Sequence, residues 1–127
     1  MNGSASVRDV GTDASGNLFV TGWFNGTLDA DPANVHADNA DLLTASPGIN
    51  SYSDGYVAKY AGDGTFQWAR RMGGNATWSL ATDGAGNVFV AGPHADNGDF
   101  GPFTAGASGN FVTKLDAAGN ERQRQCP

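Results

Sequence analysis

At 127 residues with 39% hydrophobic content, the chain is long enough to bury one core and too short for two well-separated domains, so 1–127 is read as a single domain. A formal net charge of −6 repels phosphate backbones and anionic headgroups, which speaks against nucleic acid and membrane surfaces as partners. The single cysteine, Cys126, permits no intrachain disulfide, and the chain shows neither a signal-peptide start nor the ~20 apolar residues of a membrane span.

Nineteen glycines and five prolines interrupt the chain too often for helical periodicity to develop. The short runs between them are aromatic and β-branched, which suits a pleated surface. An all-β class follows. In chain order, a first strand leads into the tight turn Asp13-Ala14-Ser15-Gly16-Asn17, where the aspartate caps backbone amides, which gives it a structural role. Leu18–Thr21 begins a second strand, Ala33–Ser53 is a long polar connection, and Tyr56–Tyr60 is a third strand. Gly62-Asp63-Gly64 turns into a last strand around Trp68. The same series then recurs, with a turn at Asp83–Asn87, strands at Val88–Gly92 and Phe111–Leu115, and a turn at Ala117–Asn120. Basic pairs occur at Arg70-Arg71 and at Arg122 with Arg124, and both are read as solvated faces.

Self-comparison makes the recurrence explicit. Val7–Pro32 matches Thr77–Pro102 without a gap at an offset of 70, and Gly55–Tyr60 matches Asn110–Leu115 at an offset of 55. The difference, 70 minus 55, is 15 residues inserted in the first copy between Pro32 and Asp54. Each copy therefore reads as a four-stranded meander, the first over about 7–76 and the second over about 77–127. Glu121–Gln125 replaces the aromatic Phe66–Arg70, so the last strand of the second copy is the element this pattern supports least.

The first copy carries Asp13, Gly16, Asn17, Phe19, Val20, Gly22, Phe24, Gly26, Thr27, Asp29, Asp31, Pro32, Asp54, Tyr56, Val57, Lys59, Gly64 and Trp68. This set resembles the repeat of bacterial seven-bladed β-propeller proteins. The resemblance implies two four-stranded antiparallel propeller blades, as a fragment of a propeller or as one completed by oligomerisation. It also implies an extracellular or cell-envelope setting. It implies no reaction, because one fold hosts many functions.

Candidate site residues fall into three groups. His36-Ala37-Asp38 and His94-Ala95-Asp96 stand in twin His-Ala-Asp-Asn strings, where imidazole and carboxylate suit a transition ion and the Asp and Asn oxygens alone suit calcium. The two strings occupy different places in the repeat, which argues against a shared metal role. Asp29, Asp31 and Asp99 form a better-registered acidic set for calcium, competing with the capping of neighbouring amides. Trp23 and Trp78, at strand ends, are the aromatics placed for ligand contact, with His36 and Asp38 in the inserted connection beside them. No nucleophile elbow and no phosphate loop is present.

Two functional classes remain. The first is a non-enzymatic binding or scaffold module that presents rim loops, Ala33–Ser53 above all, to a protein or glycan. The second, drawn from the resemblance to propeller lactonases and esterases, is a calcium-dependent hydrolase, for which Glu121 is the only glutamate on hand. Two blades do not close a ring, so association of three or four copies, or membership of a longer propeller, is expected. If the second copy lacks its last strand, Met1–Val7 of a neighbouring copy is a candidate to fill that edge.

Overall fold

The computed structural model describes residues 3–34, 41–44, 54–75, 79–100, 103–104 and 109–125. Every regular element among them is a strand: β1 (Gly3–Thr12), β2 (Leu18–Asp29), β3 (Leu42–Thr44), β4 (Asp54–Tyr60), β5 (Phe66–Asn75), β6 (Ser79–Thr82), β7 (Val88–Phe100), β8 (Phe103–Thr104), β9 (Gly109–Leu115) and β10 (Glu121–Gln125).

These strands form two antiparallel sheets. In the first, β1, β2, β4 and β5 pair in succession, placing Val10 beside Val20, Val20 beside Ala58 and Ala58 beside Ala69. In the second, β6, β7, β9 and β10 repeat the order, with Leu80 beside Val90, Val90 beside Thr113 and Thr113 beside Arg124. The sequence offsets thus map like strands onto like strands. Short β3 and β8 pair with the far ends of β2 and β7 and give each sheet a fifth strand.

Three expectations change. The tail that lost both aromatics still forms β10, because main-chain bonding to β9 needs no aromatic side chain. The amino-terminal segment is not free to fill a neighbour's edge, since Ala5, Ser6 and Val7 pair with Phe24, Trp23 and Gly22 of the same chain. Gly22 permits this approach: a Cβ there would run into the Ser6 carbonyl oxygen. The third change concerns Arg70 and Arg71, which do not lie on a solvated face. Arg71 Nη1 sits 3.1 Å from Oδ2 of the buried Asp54, and Arg70 reaches across to the second sheet. Arg122 stays exposed, paired with Asp116 at 2.8 Å.

The two sheets pack face to face over one core. Side-chain alternation along each strand sends Phe19, Val57, Trp68 and Met72 of the first sheet against Val88, Val90, Phe111 and Leu115 of the second, with Leu80 at the margin. Burying each such side chain is worth roughly 1.5–3 kcal/mol. A polar clamp closes one end of this joint. Lys59 Nζ and Trp68 Nε1 both donate to the Ala117 carbonyl, at 3.0 and 2.9 Å, while Arg70 Nε donates to Gly119 O at 2.9 Å and Nη2 to Ala118 O at 3.2 Å. Lys59 also lies over the Phe19 ring, 5.5 Å from its centroid. Near the first strands, Leu80 N donates to Asp9 Oδ2 at 2.9 Å and Thr82 Oγ1 to Thr12 O at 2.7 Å.

Candidate functional site

Past Phe24, β2 runs beyond its pairing with β4 and the chain folds back over the outer face of the first sheet. Ala30 packs there with Ala58, Phe66 and Ala69, flanked by Leu43 and Tyr60. The Tyr60 hydroxyl donates to Ala30 O at 2.7 Å, and Ala30 N donates to Asp41 O at 2.8 Å, which ties the middle of the insertion to the chain just before it. The long connection is thus not wholly a loop: its Asp41–Thr44 stretch is part of the fold, with Asp41 buried.

Between this folded-back segment and the β4–β5 turn lies an open cleft of about 500 Å³, lined by Asp31, Asn34, Asp63, Gly64, Thr65 and Phe66. Its chemistry is that of acceptors. Asp31 accepts from Asn34 Nδ2 at 3.1 and 3.2 Å through its two oxygens, and Asp63 Oδ1 accepts from Thr65 N at 2.9 Å. These bonds orient both carboxylates. Hydrogen bonding to Thr65 holds the Asp63 carboxyl below its usual pKa, so it is ionised at neutral pH. Burial, with Asp31 and Asp29 nearby, pushes the Tyr60 phenol up, and it stays a neutral donor.

Among the described residues singled out from sequence, Asp31 alone lines the cleft. Asp29 Oδ1 accepts from Asp31 N at 2.9 Å, the amide-capping role that competed with calcium binding. Trp23 is half-buried on the face of β2 that turns toward the second sheet, opposite Gly55, and away from the cleft. Along β7, the backbone of Asp99 pairs with Thr104 and with Gly73, while that of Asp29 pairs with Leu42. His94 and Asp96 follow the same strand. The side chains of His94, Asp96 and Asp99, and all of His36, Asp38 and Trp78, lie outside the described residues. Among the described residues no three His, Cys, Asp or Glu side chains gather as metal ligands would.

Sequence reasoning took Asp63 as a turn residue and Asn34 as one residue of the long connection, and did not single out Thr65. Only their convergence, which depends on the chain folding back at Ala30, makes them a site. No protein-family model matches this chain, and no curated protein matches it.

Proposed function

We propose that this chain is a non-enzymatic binding module built of two propeller-type blades, belonging to a secreted or envelope-associated bacterial protein, and that the cleft at the base of the insertion receives a glycan. The observation that carries this reading is the acceptor set of Asp31, Asn34, Asp63 and Thr65 in one open depression. Sugar hydroxyls donate to carboxylates and amide oxygens held in place. The resemblance of the repeat to bacterial propellers supports the setting, and the paired four-stranded meanders support the architecture.

Isotope-edited NMR with a panel of neutral oligosaccharides tests it. Shifts should gather at Asp31, Asn34 and Thr65 and vanish in the Asp31→Ala and Asp63→Ala chains while both keep their melting midpoint. If only peptides perturb these residues, the partner is a protein, and if nothing does, the cleft is not the site. The alternative, a calcium-dependent hydrolase, is the weaker reading because Asp29 Oδ1 accepts from Asp31 N, an amide-capping role that competes with ion binding. Added calcium should leave the melting midpoint in place, whereas a bound ion at 100 times its Kd would raise stability by about 2.7 kcal/mol.

A further inference from the structure

The joint between the two sheets joins unlike faces. The first unit contributes the face bearing Phe19, Val57 and Lys59, and the second contributes the opposite face of its meander, with Val88, Phe111 and Leu115. Each unit therefore has a second face whose counterpart is engaged in the other unit.

Matched positions show both halves of this joint repeated on the outside of the molecule. Val57 is fully buried in the joint, while its counterpart Val112, at an offset of 55, is 41% exposed. Leu80 packs on the shared core and Val88 is fully buried, while their counterparts Val10 and Leu18, at an offset of 70, are 57% and 37% exposed. The cation–ring pair recurs too, with Lys114 lying 5.7 Å from the Phe89 centroid as Lys59 lies 5.5 Å from that of Phe19. The turns agree. Gly119 is in the left-handed region at φ 85°, and a Cβ added to it would come within 2.7 Å of the Trp68 ring, because its turn is docked on the first unit. Gly64 has the same conformation at φ 92°, and an added Cβ meets nothing within 4 Å.

We propose that a second copy of this chain docks head to tail, seating its Ala61–Thr65 turn and its Val10 and Leu18 patch on the Phe89, Val112 and Lys114 face of the first. The contact between chains then copies the contact within the chain in part: Lys114 donates to the Gly62 carbonyl as Lys59 donates to that of Ala117, whereas Gln123 and Gln125 stand where Trp68 and Arg70 complete the clamp within the chain. The folded-back segment covers Ala58, Phe66 and Ala69, while Val10 and Leu18 on the same face are exposed. Such a contact is heterologous: each chain offers one face of each kind. The inference is argued from the repeat, and although the docking turn also supplies Asp63, Gly64 and Thr65 to the cleft, failure to bind a glycan leaves it standing.

Two single-face variants test it. Val112→Asp spoils one face and Leu18→Asp the other, both at exposed positions where folding survives, as circular dichroism of each chain will check. Light scattering at micromolar concentration should give the wild-type chain a mass that is a multiple of 13.0 kDa, and each variant alone the mass of one chain. An equimolar mixture should give a two-chain mass, because one intact face of each kind remains. A monomeric wild type overturns the proposal. So do variants that still self-associate, or a mixture no heavier than its components.

Discussion

Asp13, Asp83 and Asp116 each hold a turn by the same bonds. In the first, Asp13 Oδ1 accepts from Ser15 N at 2.9 Å and Asn17 N at 3.0 Å, while Oδ2 accepts from Asn17 Nδ2 at 2.9 Å. Asp83 repeats this with Ala85 and Asn87, and Asp116 with Ala118 and Asn120. Hydrogen bonds from Asn17 and Asn87 hold the first two carboxyls below the usual 3.8. The Asn120 amide and then Arg122 bring Asp116 down to about 2. A carboxyl whose folded pKa is depressed contributes stability that is complete above its unfolded value and is lost as pH falls through the folded one. Unfolding midpoints should therefore decline from pH 3.8 toward about 2, and Asp116→Asn should flatten that decline. An unchanged acid limb in this variant would mean that the turn contributes nothing through its charge. Two glycines make a sharper comparison. Gly64→Ala meets only the left-handed strain, roughly 1–2 kcal/mol. Gly119→Ala adds the clash with Trp68, so its midpoint in denaturant should fall further.

At the scale of elements, the clamp of Lys59, Trp68 and Arg70 on the Ala117–Gly119 turn decides how the sheets meet. Trp68→Ala removes a large buried ring and one of the two donors to the Ala117 carbonyl, so chemical denaturation should record a loss of roughly 3–5 kcal/mol. Arg70→Met keeps the apolar stem and forfeits the bonds to Ala118 and Gly119, for about 1–3 kcal/mol. A neutral Arg70→Met would restore the solvated reading of that side chain. Strand runs, turns and the repeat were legible in the sequence because each rests on local chemistry: alternation in Leu18–Phe24, and Asp with Gly and Asn at fixed spacing in the turns. The clamp was legible only in part. Tyr56-Val57-Ala58-Lys59 and Phe111-Val112-Thr113-Lys114 recur visibly, but nothing local says that the first lysine reaches a turn 58 residues away. The cleft was hidden for a related reason. Its walls, Asp31 and Asp63, meet only after Ala30 packs on Ala58 and Phe66, a contact that no periodicity encodes. β3 was missed because three residues, Leu42–Thr44, are too few to display an alternation.

For the molecule as a whole, the placing of the core predicts how it unfolds. Neither sheet has its main apolar face to itself: Phe19, Val57, Trp68 and Met72 find their partners in Val88, Val90, Phe111 and Leu115 across the joint. Separating the sheets would expose both sets, at roughly 25 cal/mol for each Å² of apolar surface, and would break the polar clamp in the same step. Loss of either sheet therefore removes the support of the other. The cluster under the insertion is smaller, with Ala30, Ala58, Phe66 and Ala69 buried and Leu43 at its edge, so it modulates the stability of the first sheet without making it independent. Heat should unfold the chain in one transition whose calorimetric and van't Hoff enthalpies agree. The Val112→Asp chain is the one to use, since association would raise the midpoint with concentration. Phe111→Ala, in the second sheet, should lower the midpoint recorded by tryptophan fluorescence, because Trp68 of the first sheet lies in the same cluster, and should lower it equally by circular dichroism. Two separate transitions, or a Phe111→Ala effect seen by one probe alone, would mean that the sheets fold as independent units and that the shared core does not bind them into one.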